Sequence, residues 1–133
     1  MAFKLKAPVP TERDECEWLM QWAAVKRHEG TRLSDLLIMI PNGTKLAGDA
    51  RARAIQMNRM KDIGFKPGVF DYLLPVMVGA SPGLWLEMKR IKGGIVSPEQ
   101  RKFDELMHAL GWQTAICSGF EEARRVIVRY LKP

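Results

Sequence analysis

Fifteen residues separate Asp71 from the triplet Glu87-Met88-Lys89, and both stand in apolar segments that read as β-strands. Neighbouring strands would bring the two carboxylates together. Oxygen donors of this kind hold a hard divalent cation, and a lysine beside them orients or deprotonates an attacking water. The chemistry suggested is metal-dependent cleavage of a phosphodiester. Taken alone, Asp71 also reads as a solvated strand end, and Glu87 with Lys89 as a same-face ion pair worth little. The elements around them therefore decide between these readings.

Thr11 is a candidate N-cap with Asp14 three residues on, and a helix is expected from Glu12 to about His28. Glu15, Trp18, Leu19, Trp22 and Val25 recur along it at helical spacing, and Glu29-Gly30 ends it. Ser34 to Ile40 closes in an apolar run, a buried strand stopped by Pro41-Asn42-Gly43. Leu46 to Ile63 reads as a helix whose stripe of Ala47, Ala50, Ala54 and Met57 would pack on a sheet. Val69 to Val78 and Leu84 to Ile91 are β-prone runs joined by Gly79-Ala80-Ser81-Pro82-Gly83, a connection suited to antiparallel neighbours. Alternation then puts Trp85, Glu87 and Lys89 on one face and Leu84, Leu86 and Met88 on the other. Ser97-Pro98-Glu99-Gln100 opens a helix with a capping box, Phe103, Met107 and Leu110 line its apolar stripe, and Gly111 stops it. Trp112 to Cys117 is a further strand, and Phe120 to Leu131 a last helix facing inward through Phe120, Ala123, Ile127 and Tyr130. The order predicts an α/β domain with a mixed four-stranded sheet flanked by helices.

At 133 residues the chain fits one domain, expected over residues 11–133 with residues 1–10 as an N-terminal arm. The net charge of +6 favours a polyanionic partner, and nucleic acid is the natural one. No stretch approaches the roughly 20 apolar residues of a membrane span, and no leader pattern opens the chain, so a cytoplasmic protein without a membrane partner is expected. Cys16 and Cys117 lack zinc spacing, as do His28 and His108, which leaves oxygen ligands for any metal.

The motifs together carry a family likeness. Ile40-Pro41-Asn42-Gly43, Gly64-Phe65-Lys66-Pro67-Gly68-Val69-Phe70-Asp71, Leu84-Trp85-Leu86-Glu87-Met88-Lys89, Ser97-Pro98-Glu99-Gln100 and Gly111 closely resemble the VRR-NUC family of the PD-(D/E)XK nuclease superfamily. The likeness spans roughly Glu12 to Leu131 and is to the stand-alone members found in phages and bacteria. It implies a restriction-endonuclease-like fold and a Mg²⁺- or Mn²⁺-dependent endonuclease acting on branched DNA, such as four-way (Holliday) junctions. On this resemblance Asp71 and Glu87 ligate the metal, the backbone carbonyl of Met88 adds a third ligand, and Lys89 positions the water. Gln100 matches a supporting glutamine, although its capping box gives it a structural reason of its own. The family's first-helix glutamate falls on Glu15, acting through water on the metal, with Glu12 one turn earlier as the alternative. Phe70 departs from the proline that the superfamily name implies. Lys92, in a basic loop after Lys89, is a candidate phosphate contact, and Asn42 is either a turn residue or a DNA contact. Small size and the family together lead us to expect a homodimer. The competing expectation is a non-catalytic nucleic-acid-binding protein that keeps the fold.

Overall fold

A computed structural model describes residues 7–41 and 46–132. Thr11 opens α1 (Glu12–Val25) with a reciprocal cap, its hydroxyl accepting from the Asp14 N–H at 3.0 Å while the Asp14 carboxylate accepts from the Thr11 N–H at 2.9 Å. The buried line is Glu15, Leu19 and Ala23, strictly four residues apart. That line is narrower than the expected stripe, and it leaves Trp18 and Val25 exposed. The helix stops short of His28 because Arg27–His28 (β1) turns back on Thr31–Arg32 (β2) through Glu29 and Gly30, both at positive φ.

The strand expected from Ser34 to Ile40 divides. Leu33–Leu36 coils as α2, which sends Leu33 and Leu37 into the core, and only Ile38–Met39 (β3) is strand. The next helix, α3 (Ala50–Asp62), starts later than Leu46, where the Asp49 side chain accepts from the Ala52 N–H at 2.8 Å. Its alanine stripe does not pack on the sheet, since Ala50 and Ala54 are exposed and no α3 residue is fully buried. Alanine suits a solvated helix as well as a packed one. Met57 and Met60 are the large apolar side chains that α3 half buries, and Gln56 clamps the backbone of Ala47 with bonds of 2.7 and 3.2 Å.

β4 (Tyr72–Leu74), β5 (Leu84–Lys89) and β6 (Gln113–Ser118) complete a sheet of order β3-β4-β5-β6. β4 is antiparallel to both of its neighbours, and β6 is parallel to β5, reached over α4 (Pro98–Ala109) as a parallel pair requires. β4 starts later than Val69, and it ends at Leu74, short of Val78, because Pro75 has no N–H to give the ladder. Leu84, Leu86 and Met88 share a core with Leu19 and Ala23 of α1 and with Ala123 and Ile127 of α5 (Phe120–Leu131). Complete burial of such side chains stabilises the fold by about 1.5–3 kcal/mol each. The alternate face of β5 belongs to α4, where Phe103 meets Trp85 edge-on at 5.1 Å and Phe70 at the same separation. Among the described residues no helix is long and apolar enough to cross a membrane.

Candidate active site

The β4–β5 ladder pairs Tyr72 with Leu86, so one further step sets Asp71 against Glu87. There the strands part. The Asp71 carbonyl accepts from the Ile40 N–H at 2.7 Å, and its side-chain Oδ2 takes the Met88 N–H at 3.0 Å, standing in for the ladder bond that β4 no longer supplies. At the two ends of the parallel pair, the carbonyls of Gly83 and Lys89 accept from Gln113 and Gly119. The odd-numbered groups of β5 are thus directed to β6, and both backbone groups of Met88 face the β4 side, beside Asp71.

Glu87 is 2% exposed. Its Oε1 accepts from Gln100 Nε2 at 2.9 Å and lies 3.7 Å from Lys89 Nζ, whereas Oε2 is buried without a hydrogen-bond partner among the described residues. Burial first, and then the negative charge of Asp71, push the Glu87 carboxyl up to about 8 against the pull of Lys89. Burial also raises Asp71, opposed by its bond from the Met88 N–H. Like charges crowded in a poorly solvated place need a cation or a proton.

Gln100 serves two purposes at once. Its carbonyl oxygen accepts from the Ser97 N–H at 3.0 Å, closing the capping box of α4, and its amide nitrogen donates to Glu87. A glutamate would close the same box and could not donate. Lys89 is held by its surroundings, for a Cβ placed on Gly94 would come within 2.8 Å of the Lys89 Cβ. Lys92 is exposed in the loop that follows. Asn42 lies outside the described residues.

Of the two first-helix glutamates, the structure brings Glu12 to the pair and not Glu15. Glu12 is exposed, yet its carboxyl is raised by partial loss of solvent and by the charge of Asp71 and lowered by Lys89, so it stands within electrostatic reach of the pair. Glu15 is buried elsewhere, its Oε2 accepting from the Phe120 N–H at 2.6 Å. The reason is local to α5. Its N-cap is Gly119 at φ 88, which has no side chain to cap the helix, and the Glu15 carboxylate serves instead.

A cleft of about 290 Å³ opens over Asp71, Glu87 and Gln100, with Met57 and Phe65 on its walls. Neither wall residue was among the expected site residues, although Phe65 stands within the Gly64–Asp71 motif. A larger cavity of about 610 Å³ lies at the other end of β5, beside Leu84 and Tyr130, and no carboxylate lines it. Among the described residues no three His, Cys, Asp or Glu side chains gather as a metal-holding cluster. A cation at the pair would therefore rest on two carboxylates completed by the Met88 carbonyl and water. The orphaned Oε2 of Glu87 and the raised carboxyls fit such an ion, and all-oxygen donors suit Mg²⁺ or Mn²⁺.

No protein-family model matches this chain, and no curated protein does. A solved structure described as a "VRR_NUC domain protein" superposes with a TM-score of 0.78 over 95% of this chain and 90% of that one, at 23% identity. The chain has the VRR_NUC fold. The VRR_NUC fold agrees with the mixed four-stranded sheet flanked by helices that the motifs implied.

Proposed function

We propose that this protein is a metal-dependent, structure-specific DNA endonuclease of the VRR-NUC type, hydrolysing phosphodiesters in branched DNA such as four-way junctions. The observation that carries the reading is the buried carboxylate of Glu87, set across from Asp71 with Lys89 Nζ 3.7 Å from its Oε1. The nuclease-type fold and the net charge of +6 support a DNA substrate.

Asp71, Glu87 and the Met88 carbonyl would hold Mg²⁺ or Mn²⁺, which supplies polarisation of the scissile phosphate and acidification of a bound water. Lys89 orients that water and offsets the negative charge that develops on the phosphate. Gln100, by binding Oε1, holds the Glu87 carboxylate in one orientation and leaves Oε2 free for the ion. Glu12 contributes a carboxylate at the rim and acts through water. Specificity comes from shape and phosphate contacts, Lys92 among them, and not from base readout. A homodimer would present two sites to two strands of a junction.

The test is a labelled four-way junction incubated with Mg²⁺, Mn²⁺ or EDTA, with Lys89→Ala in parallel. We expect cutting with either metal, none in EDTA, and a loss of about 10²- to 10⁴-fold in Lys89→Ala. Tight binding of the junction with no cutting in either metal would sink the proposal and favour a binding protein that keeps the fold.

A further inference from the structure

We infer that the groove between α3 and α4 receives the first unpaired nucleotide of a single-stranded arm at the branch, adjoining the scissile phosphate; this rests on the nuclease reading above and narrows its branched substrates to those that carry such an arm. The groove is about 470 Å³, within the span of about 300–1,000 Å³ usual for small-molecule pockets. Phe65, Phe103 and Leu106 form its apolar floor, and Lys61, Lys66 and Lys102 stand on its rim with Glu99 as the acid that lines it. Phe65 and Pro67 also line the cleft over Asp71 and Glu87, so the two spaces adjoin.

The floor is built to stay in place. Phe103 is pinned between Phe70 and Trp85, and the Phe65 N–H is bonded to the Met60 carbonyl at 2.9 Å. Gly68, at φ 89, lies so close to the backbone of Glu99 that a Cβ would strike it, which locks the 66–68 turn to the first turn of α4. An aromatic and aliphatic floor ringed by ammonium groups matches a base with a phosphate on either side. A base paired in the interior of a duplex cannot present its face to Phe65, and the blunt-ended hairpin separates an unpaired base from a terminal base pair. None of the lining side chains is an amide or hydroxyl, and recognition should be indifferent to base identity.

The test uses a DNA hairpin carrying a short single-stranded arm with 2-aminopurine at its first unpaired position, against the same hairpin with a blunt end, in EDTA. The wild-type protein is compared with Phe65→Leu and with the exposed pair Lys66→Gln/Lys102→Gln, which removes charge without touching the core. We expect the arm to tighten wild-type binding about tenfold and to quench the 2-aminopurine by stacking. Phe65→Leu should abolish both effects, each read as the ratio of arm to blunt-end binding by the same variant. The lysine pair should weaken arm binding and flatten its salt dependence by about 1.4 in the logarithmic slope. Equal wild-type affinity for both hairpins overturns the inference, as does arm binding unmoved by both variants, including the case in which they alter sedimentation mass and so mark a face between copies. Arm preference without cutting in Mg²⁺ or Mn²⁺ would refute the nuclease reading and uphold the groove. Cutting of a junction with no arm preference would do the reverse.

Discussion

Glu87 is where burial and charge conflict most sharply. Its carboxyl is raised from 4.5 to about 8, so between those values the folded protein keeps a proton that the unfolded chain has released. Stability of the metal-free protein must then fall as pH rises through that window. In EDTA the melting temperature should drop by several degrees between about pH 5 and about pH 8, and Glu87→Gln, neutral throughout, should remove most of that drop. Equal slopes for the two proteins in scanning calorimetry would reject the assignment. Gln100 offers a second residue-level test, because Gln100→Glu preserves the capping box and withdraws the donor to Glu87. We expect cleavage to fall about 10- to 100-fold while the low-pH melting temperature is retained. An unchanged rate would reduce Gln100 to a cap.

α1 carries two glutamates with separate tasks. Glu15→Ala removes the acceptor for the Phe120 N–H and should cost about 1–3 kcal/mol in urea unfolding, with cleavage per folded molecule retained. Glu12→Ala should leave unfolding unchanged and lower cleavage; the opposite pattern would return Glu15 to the site. Sequence reasoning separated these residues poorly, and the reason is physical. Both sit at the N-terminal end of α1, and what divides them is the docking of α1 against α5, a contact with no local signature. Local features read well: the capping boxes at Thr11 and Ser97, the alternation of β5 that joins Glu87 and Lys89, and the whole of Phe120–Leu131. The failures arise where tertiary context prevails. α2 coils to bury Leu33 and Leu37, and the alanines of α3 face water, whereas the early end of β4 at Pro75 is a local signal that was legible in the sequence.

For the whole molecule, the excess of Lys and Arg over Asp and Glu, 21 against 15, predicts recognition dominated by phosphates. Junction affinity in EDTA should decline with salt at a logarithmic slope of about three or more, since each neutralised phosphate contributes about 0.9. A flat plot would rule out electrostatic capture. Sedimentation should find a homodimer at micromolar protein, and a monomer that still cuts junctions symmetrically would count against it. The bond from the Phe120 N–H to Glu15 also bears on the order of synthesis. It joins positions 105 residues apart, and Leu19 and Ala23 share their core with Ala123 and Ile127. In a nascent chain α1 can dock on α2 and β5 as these emerge, but the bond that holds the Glu15 carboxylate forms only after α5 has left the exit tunnel. The lock on α1 therefore closes last, after Asp71, Glu87, Lys89 and Gln100 have all been made.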